Sequence, residues 1–410
     1  MTEPHHVALL HDGRVLVDET GALPSFMPSQ HLGSLARALQ LVGGSVALTP
    51  VAKLADGSRL HVVGSRADVP AGRFVPPASL DPSLSSALSD SLRTPPGRPA
   101  WFLPGWFDLV EAWIDSVLAG SGVRRTHPIE AVKMWSISAV ARVPTDGGDL
   151  WLKTPCEHFL AEARVHSVVS GLFPHLVPTL VAANEAQGWL LMEPMTGEED
   201  DTRAPGAGLE VATQWAAAQI AAVAHVDALV AGGCRRRGVD ETVAGFRRLL
   251  DSSSELALLS AEELAAIRGC ADSLEALVRE FWATGIPDTL AHGDLHLGNV
   301  AWDGADLRLF DWTDGCISHP FLDASHLAHF TRAVPGDAGL ESTYAEQWRA
   351  TYPDADIDRA LALAPLVDLV FQAITFDDIV NTTEPMSRWE LGGVVADLLR
   401  NLPARVAELG

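Results

Sequence analysis

The chain contains very little lysine. Of its 410 residues only Lys53, Lys133 and Lys153 are lysines, and 29 lysines and arginines stand against 53 aspartates and glutamates, a formal net charge of −24. A protein of this charge repels the phosphates of nucleic acids, so general nucleic-acid binding is not expected. A lysine kept in such a sequence is a candidate for a special role, because arginine does not replace a compact ammonium group everywhere.

Cysteine is also scarce, and long unbroken apolar runs are missing. The four cysteines show no CxxC spacing, which argues against a disulfide framework or a zinc site and favours reduced thiols in the cytoplasm. The most apolar run, residues 216–231, is broken by Gln219, His225 and Asp227. We interpret it as a buried helix and expect no membrane association. The sequence shows no basic and apolar signal segment at its start.

The length and the 47% hydrophobic content predict two or three domains. Near the start, Asp12-Gly13 and Asp56-Gly57 each lie between β-rich runs and predict hairpins. A proline-rich stretch then marks a boundary. The patterns divide the chain into an N-terminal α+β accessory domain (1–95), a β-rich region containing one helix between strands (96–198) and a mostly helical region (199–410).

The densest group of polar residues lies in the stretch LAHGDLHLGNVAWDGADLRLFDWTD, residues 290–314. His292, Asp294 and Asn299 match the kinase catalytic-loop pattern H-R-D-L-x-x-x-N in type and spacing, and Asp311 follows two short β-like runs. Any one of these residues alone would be read as an ordinary turn residue, but the joint match favours function. Phosphoryl transfer needs a carboxylate that orients the acceptor hydroxyl and oxygen ligands that hold magnesium.

The form H-G-D-x-H-x-x-N followed by D-W closely resembles the aminoglycoside phosphotransferase and choline kinase-like families, rather than protein kinases. The resemblance implies an α+β, bilobal protein-kinase-like fold, with a small β-rich N-lobe (96–198) that ends at a hinge and a mostly helical C-lobe (199–410). It also implies that Asp294 is the catalytic base and that Asn299 and Asp311 hold Mg²⁺ against the phosphates of ATP. The expected enzyme is an ATP- and Mg²⁺-dependent phosphotransferase acting on a hydroxyl of a small molecule.

The resemblance predicts further nucleotide-binding residues. Lys153 ends the strand DLWLK, where a kinase-like fold places the lysine that contacts the α- and β-phosphates. A glutamate on the next helix should orient this lysine; Glu162 fits the family pattern, and Glu157 is the rival.

Two more segments belong to the expected nucleotide site. In the hinge segment WLLMEPMTG, main-chain groups near Glu193 and Met195 should bind the adenine, and Met192 either lines the pocket or fills the core. The segment MWSISAVARV takes the place of the glycine-rich phosphate loop of protein kinases. Ser136 and Ser138 are its candidate phosphate-binding residues.

For other polar residues around the motif the sequence leaves alternative roles open. His296 contacts substrate or shapes the loop, and we favour the loop role. Asp314 faces the acceptor or a second metal, or is a turn residue. Asp323 is expected to be structural, capping a helix or bonding to the catalytic loop. His326 and His329, one helical turn apart, are interpreted as polar positions on a partly buried helix.

The acceptor is expected to be a small hydroxylated molecule. The acidic charge suits a cationic acceptor such as an aminoglycoside or amino sugar, and a neutral sugar is nearly as plausible. Possible acceptor-facing carboxylates are residues 198–201, Asp377, Asp378 and Glu384. The alternative functions are a catalytically weak kinase-like binding or regulatory module and a magnesium-dependent hydrolase. The latter would give no role to Lys153 or the hinge.

Overall fold

The structure, a computed structural model, describes residues 3–28, 34–66, 69–195, 205–302, 307–332 and 336–410. Its first elements are β1 (His5–His11), β2 (Arg14–Val17), β3 (Ser25–Phe26), α1 (Ser34–Val42), β4 (Val46–Ala47), β5 (Ala52–Lys53), β6 (Arg59–Gly64), β7 (Arg73–Val75), α2 (Pro82–Ser91) and α3 (Trp106–Leu118). The chain continues with β8 (Glu130–Met134), β9 (Ser138–Val143), β10 (Leu150–Pro155), α4 (Glu162–Leu172), β11 (Leu180–Asn184) and β12 (Trp189–Met192).

The remainder of the chain is mostly helical, as predicted. Its elements are α5 (Ala207–Ala222), α6 (Val226–Ala231), β13 (Arg235–Arg236), α7 (Val239–Ser252), α8 (Ala261–Gly269), α9 (Ala271–Trp282), β14 (Thr289–Ala291), β15 (Val300–Trp302), β16 (Leu307–Leu309), β17 (Cys316–Ser318), α10 (Phe321–Thr331), α11 (Leu340–Thr351), α12 (Ile357–Thr382), α13 (Val394–Arg400) and α14 (Leu402–Leu409).

The chain forms two compact units. The first consists of residues 1–158, 189–193 and 382–391, and the second of residues 159–188, 194–381 and 392–410. The first unit thus keeps the N-terminal residues together with the β-rich region. The division into domains at residues 95 and 198 stays a prediction.

The N-terminal sheet of the first unit contains β1 to β7. Its main path runs β4-β6-β1-β2-β7, while β3 pairs with β1 and β5 pairs with β6. Both predicted hairpins form. At the turn between β1 and β2, Asp12 and Gly13 have φ angles of 47° and 71°, and positive φ at both positions is typical of the tight turn that Asp-Gly favours. The second hairpin joins β5 and β6 across Asp56-Gly57.

A second antiparallel sheet carries the β-rich part of the first unit, where its strands follow one another as β12-β10-β9-β8. Lys153 lies in β10, which pairs with β9 on one side and β12 on the other. Helix α3 packs against this sheet, since the rings of Trp106 and Trp113 lie 6.4 and 5.5 Å from the ring of Trp189. Lys153 therefore lies in an interior strand of this sheet.

A short segment near the C-terminus, residues 382–391, belongs to the first unit. Arg98 and Glu384 form a buried ion pair there, with Nε and Oε1 2.8 Å apart. The indole nitrogen of Trp389 donates to the carbonyl of Val51 at 3.0 Å, and Arg59 lies over the Trp389 ring, 4.3 Å from its centre. These contacts anchor residues 382–391 to the N-terminal part of the chain.

The second unit encloses a helical core whose largest buried side chains include Trp215, Trp312, Tyr344 and Trp348. Three short strands lie beside it: β17 pairs antiparallel with β14 and parallel with β13. A separate hairpin joins β15 and β16. These strands position the two loops that hold the motif residues, because one loop leaves β14 and the other leaves β16.

Helix α12 runs through this core. It is long and apolar enough to cross a membrane by length and composition, with a mean hydropathy of 1.6 over its most apolar stretch, and it is the one such helix among the described residues. That stretch is 72% buried inside the protein, as in a core helix. Two of its buried polar residues, Asp368 and Gln372, lie four positions apart and hence on one face.

Candidate active site

The loop that begins at His292 is anchored by hydrogen bonds to the side chain of Asp323 in α10. The Asp323 carboxylate accepts hydrogen bonds from the backbone N–H groups of His292 and Gly293 at 2.8 and 2.9 Å, and from the side chains of Trp215 and Gln219 at 2.9 and 3.1 Å. Four donors satisfy a carboxylate that is fully buried, so the side chain has a structural role, as predicted.

Gly293 is required at its position by sterics. Its φ angle is 83°, and a Cβ atom there would lie 2.7 Å from both Cβ and the carbonyl oxygen of Asp314. The positive φ angle is unfavourable for other residues, and a side chain at this position would clash with Asp314. The glycine lets the chain turn tightly between the buried His292 and the partly exposed Asp294.

Asp294 and Asn299 hold each other across the loop. The Asn299 Nδ2 group donates to the backbone carbonyl of Asp294 at 2.9 Å and to its Oδ2 atom at 3.1 Å. The Asp294 side chain is 37% exposed, so an acceptor molecule can reach it. Because the amide nitrogen of Asn299 faces Asp294, its Oδ1 atom is the end that could ligate a cation.

Asp311 is brought next to Asn299 by the β15–β16 hairpin. Val300 pairs with Leu309, and the N–H of Phe310 donates to the carbonyl of Asn299 at 3.1 Å. Asp311 has a φ angle of 66°, a conformation that costs a non-glycine residue about 1–2 kcal/mol and is concentrated at functional sites. The tip of the hairpin, with Asp303 and Asp306, lies outside the described residues.

The donor set at this point suits Mg²⁺. One amide oxygen and one carboxylate from neighbouring chain segments match an ion that takes few protein oxygens and completes its shell with phosphate and water. Among the described residues no group of three or more His, Cys, Asp or Glu side chains has metal-binding geometry. A site that binds a metal through protein side chains alone is therefore not seen in this part of the chain.

His326 contacts Asp294 directly, which the sequence interpretation missed. Its Nε2 atom lies 3.1 Å from Asp294 Oδ1, and its Nδ1 atom lies 3.2 Å from Asp368 Oδ2. His326 is a buried polar residue of helix α10, in line with the interpretation of a partly buried helix, but its contact with the catalytic loop was not predicted. A signal was present: His326 lies three residues after Asp323, so both side chains point from α10 towards the same loop.

The charges around His326 are strongly coupled. Burial acts against the charged imidazole, but Asp368 and Asp294 outweigh it and raise the pKa of His326 to about 10. Burial likewise acts to raise the pKa of Asp294, while the hydrogen bond and charge of His326 hold that pKa below its usual value. Asp294 is thus kept ionised by a neighbouring cation.

Of the residues expected to bind nucleotide, Lys153 is buried in β10 of the first unit, and Glu162 begins α4 of the second unit. Glu162 is buried whereas its rival Glu157 is exposed. A buried carboxylate requires a partner, so burial favours Glu162 as the orienting residue. The pairing of Lys153 with Glu162 stays a prediction.

The two serines of the expected phosphate loop are buried: Ser136 lies between β8 and β9, and Ser138 is the first residue of β9. Ser136 donates from its backbone N–H, at 3.2 Å, and from its hydroxyl to Oε2 of Glu390. The Ser138 hydroxyl accepts from the indole nitrogen of Trp135 at 3.0 Å. A phosphate bound at Ser136 would therefore have to replace the Glu390 carboxylate.

The expected hinge lies where the chain passes from the first unit to the second. Glu193 is the last residue of that part of the first unit, and Met195 already belongs to the second. Glu193 is exposed, while Met192 and Met195 are partly buried. Adenine binding at Glu193 and Met195 stays a prediction.

Comparison with known proteins identifies the family. The sequence model of the phosphotransferase enzyme family, APH, matches residues 133–361, more than half of the chain. The protein belongs to this phosphotransferase family. Its members act on hydroxyl groups of small molecules, so the predicted enzyme class, a phosphotransferase with an alcohol group as acceptor, is confirmed. No curated protein sequence matches the chain significantly.

Solved structures agree with the family. Choline kinase from Cryptosporidium parvum is 11% identical, with a TM-score of 0.53, and the match covers 74% of this chain and 96% of that one. Ethanolamine kinase from Plasmodium vivax is 12% identical, with a TM-score of 0.50, and the match covers 78% of this chain and 98% of that one. At these identities the similarity shows the fold, and the predicted protein-kinase-like fold is confirmed.

The structure also tests the acidic residues proposed to face the acceptor in this phosphotransferase. Glu384 is buried against Arg98, and Asp377 is buried and accepts from Asn381 at 3.2 Å. Asp378 forms an ion pair with Arg248 at 3.1 Å. Burial excludes Glu384 and Asp377 as acceptor contacts in this conformation, because an acceptor cannot reach them. Residues 198–201 lie outside the described residues.

Asp314 is neither an exposed turn residue nor an acceptor contact. It is buried beside Gly293, with Oδ1 3.6 Å from Nη1 of Arg237 and 3.7 Å from Nη2 of Arg235. Burial raises the pKa of Asp314 to about 6, although Arg237 opposes the shift. Asp314 therefore supports the catalytic loop from inside the protein.

Proposed function

We propose that this phosphotransferase is an ATP- and Mg²⁺-dependent small-molecule kinase. It transfers the γ-phosphoryl group to a hydroxyl of an aminoglycoside, amino sugar or similar metabolite. The observation that carries the proposal is the arrangement of Asp294, Asn299 and Asp311, in which one partly exposed carboxylate lies beside two oxygen donors of the type that magnesium prefers.

Each residue of this arrangement has a distinct task in the proposed reaction. Asp294 accepts a hydrogen bond from the acceptor hydroxyl, orients it towards the γ-phosphorus and takes its proton as the oxygen–phosphorus bond forms, while the bond from the γ-phosphorus to the β–γ bridging oxygen breaks and ADP leaves. Asn299 Oδ1 and the Asp311 carboxylate would hold Mg²⁺, which neutralises the charge of the β- and γ-phosphates when bound. Lys153 would contact the α- and β-phosphates.

The acceptor class rests on charge. The net charge of −24 supports a cationic acceptor. The loss of Glu384 and Asp377 as acceptor contacts weakens that support, which makes a neutral sugar or other polyol a reasonable alternative. A panel that varies charge separately from hydroxyl number will distinguish them, for example an aminoglycoside, its N-acetylated form and a neutral disaccharide.

The experiment measures ADP formation and phosphorylated product with this panel, with and without Mg²⁺. We expect one acceptor class to raise ADP formation above the rate seen with water, and we expect EDTA to abolish the reaction. Asp294→Asn serves as the control that removes the base while retaining the size of the side chain. The proposal fails if no acceptor is phosphorylated and the protein binds no nucleotide.

A catalytically weak kinase-like binding or regulatory module is the second candidate function. The contact between Ser136 and Glu390 favours it, because both Ser136 donors are directed to a carboxylate rather than left for a phosphate. Nucleotide binding without turnover on any acceptor, unchanged by Asp294→Asn, would support this second function.

A further inference from the structure

The carboxylate of Asp294 is not held by Asn299 alone. Its Oδ2 atom accepts from Asn299, and its Oδ1 atom lies 3.1 Å from His326 Nε2. On the other side of the imidazole, Nδ1 lies 3.2 Å from Asp368 Oδ2. Asp294, His326 and Asp368 therefore form a continuous chain of carboxylate, imidazole and carboxylate.

The rest of the surroundings restrain the ring. The His326 side chain is 10% exposed, and the ring of Phe330 covers it at a distance of 4.9 Å between ring centres. Gln372, one turn after Asp368 on α12, donates to the carbonyl of Gly293 at 2.9 Å. Helix α12 thus contacts the catalytic loop twice, once directly and once through His326.

The hydrogen-bond inventory assigns the charge of the ring. An ionised carboxylate only accepts hydrogen bonds, so an imidazole between two ionised carboxylates must carry a proton on both nitrogens. The ring then has a charge of +1 between two charges of −1. The charged and titratable groups that face it are Asp294 and His296 from the catalytic loop and Asp368 from α12.

We propose that His326, held by Asp368, is a positioning residue that fixes the carboxylate of the Asp294 base. The inference rests on the proposed function, because it assigns a role to residues that act through Asp294. With Oδ1 bound to His326 and Oδ2 bound to Asn299, the carboxylate cannot rotate freely about its χ2 angle. Misplacing a reacting group by about 1 Å can lower turnover by about 100-fold.

Two substitutions of His326 distinguish its hydrogen bond to Asp294 from its hydrogen bond to Asp368. In His326→Gln the amide nitrogen corresponds to Nε2 and can still donate to Asp294. In His326→Asn it corresponds to Nδ1 and can still donate to Asp368, but not to Asp294. We expect kcat to fall about 100-fold in His326→Asn and only about fivefold in His326→Gln, the loss of one hydrogen bond, with the KM for ATP unchanged in both.

The measurements are ADP formation with Mg²⁺-ATP and the best acceptor of the panel, or with water if no acceptor is found. His329→Asn and His329→Gln, at an exposed position on the same helix, are the matched controls and should behave as wild type. Equal turnover in the wild type, His326→Asn and His326→Gln would overturn the inference. So would an equal loss in the two His326 variants with unchanged melting temperature.

A double-mutant cycle tests whether Asp368 acts through His326. Asp368→Asn should lower kcat by no more than about fivefold in the wild type, where it weakens the one hydrogen bond that His326→Gln removes, and should have no further effect in His326→Gln, whose side chain does not reach Asp368. The inference is wrong if Asp368→Asn lowers kcat equally in both backgrounds, because Asp368 would then act without His326.

The protonation of the His326 ring can be measured by NMR without any enzymatic activity, so this experiment tests the inference independently of the proposed function. In protein labelled with [¹⁵N]histidine, the ring of His326 should show two protonated nitrogens at pH 8, and a single one in Asp368→Asn. A protein that forms no ADP but shows the doubly protonated ring contradicts the proposed function and supports the bridge. A wild-type ring with one proton at pH 8 shows that the bridge does not form and overturns the inference.

Discussion

Ser136 and Glu390 are 254 positions apart in the sequence, yet the carboxylate of Glu390 accepts hydrogen bonds from both the backbone N–H and the hydroxyl of Ser136. Ser136 lies in the loop expected to bind phosphate. Glu390 is held there by residues 382–391, which are anchored through Arg98–Glu384 and Trp389–Val51. A carboxylate thus occupies a position that suits the negative charge of a nucleotide phosphate.

Replacing Glu390 should therefore strengthen nucleotide binding. Glu390→Gln removes the charge that repels phosphate, and Glu390→Ala also leaves the Ser136 donors available to it. We expect calorimetry to show Mg²⁺-ATP binding about tenfold tighter in Glu390→Ala, which corresponds to about 1.4 kcal/mol, with Glu390→Gln intermediate. Glu346→Gln, at an exposed position on α11, is the charge-matched control. Unchanged affinity in both Glu390 variants would remove Ser136 from the nucleotide site.

Substitutions of Asp294 and Asp311 should have different consequences. Asp294→Ala removes the base, so we expect kcat to fall by at least about 100-fold, with nucleotide affinity nearly intact. Asp311→Ala removes a magnesium ligand and should weaken Mg²⁺-ATP binding as well as turnover. Parallel assays of ADP formation and calorimetric nucleotide binding will check this. Equal defects of both variants in both assays would contradict the separate roles.

Lys153 should not tolerate arginine. Its ammonium is expected to contact the α- and β-phosphates as a point charge from a buried position in β10, and a planar guanidinium neither fits that space nor supplies the same contact. We expect Lys153→Arg to lower kcat/KM for ATP by at least about tenfold. Lys53→Arg, at the exposed end of β5, provides the control. Full activity of Lys153→Arg would show that this lysine is not a phosphate ligand.

Stability should depend on pH through His326. Its pKa is raised to about 10 in the folded protein, against 6.5 ordinarily. The protonated ring therefore stabilises the fold fully below pH 6.5, and this contribution is lost as the pH rises from 6.5 through about 10. Melting temperatures measured over this window should fall more steeply for the wild type than for His326→Gln. Parallel curves for the two proteins would show that the ring is not charged in the folded state.

The structural features that could be predicted from the sequence depend on residues close together in the chain. The separation of Asp294 and Asn299 follows from the chemistry of phosphoryl transfer, and the Asp12-Gly13 and Asp56-Gly57 hairpins follow from turn geometry. The hairpin that brings Asp311 to Asn299 needs only a few residues of chain. Each of these features is determined within about twenty residues.

The contacts that sequence did not predict join distant segments. His326 and Asp368 are 42 positions apart, and Arg98 and Glu384 are 286 apart. Hydrophobic periodicity places such residues on a helix but does not tell which partner the opposite element supplies. For this reason Glu384 is a candidate acceptor contact by sequence, whereas the structure buries it against Arg98, and the sequence places His326 on a partly buried helix without identifying Asp294 and Asp368 as its partners.

The central claim is that Asp294 directs phosphoryl transfer to a hydroxyl. The most direct measurement incubates the wild type and Asp294→Asn with Mg²⁺-ATP and the acceptor panel and follows each acceptor by mass spectrometry. The account predicts a mass increase of one phosphoryl group on a hydroxylated acceptor with the wild type and a loss of at least about 100-fold in its rate with Asp294→Asn. Product formed at equal rates by both proteins would contradict it.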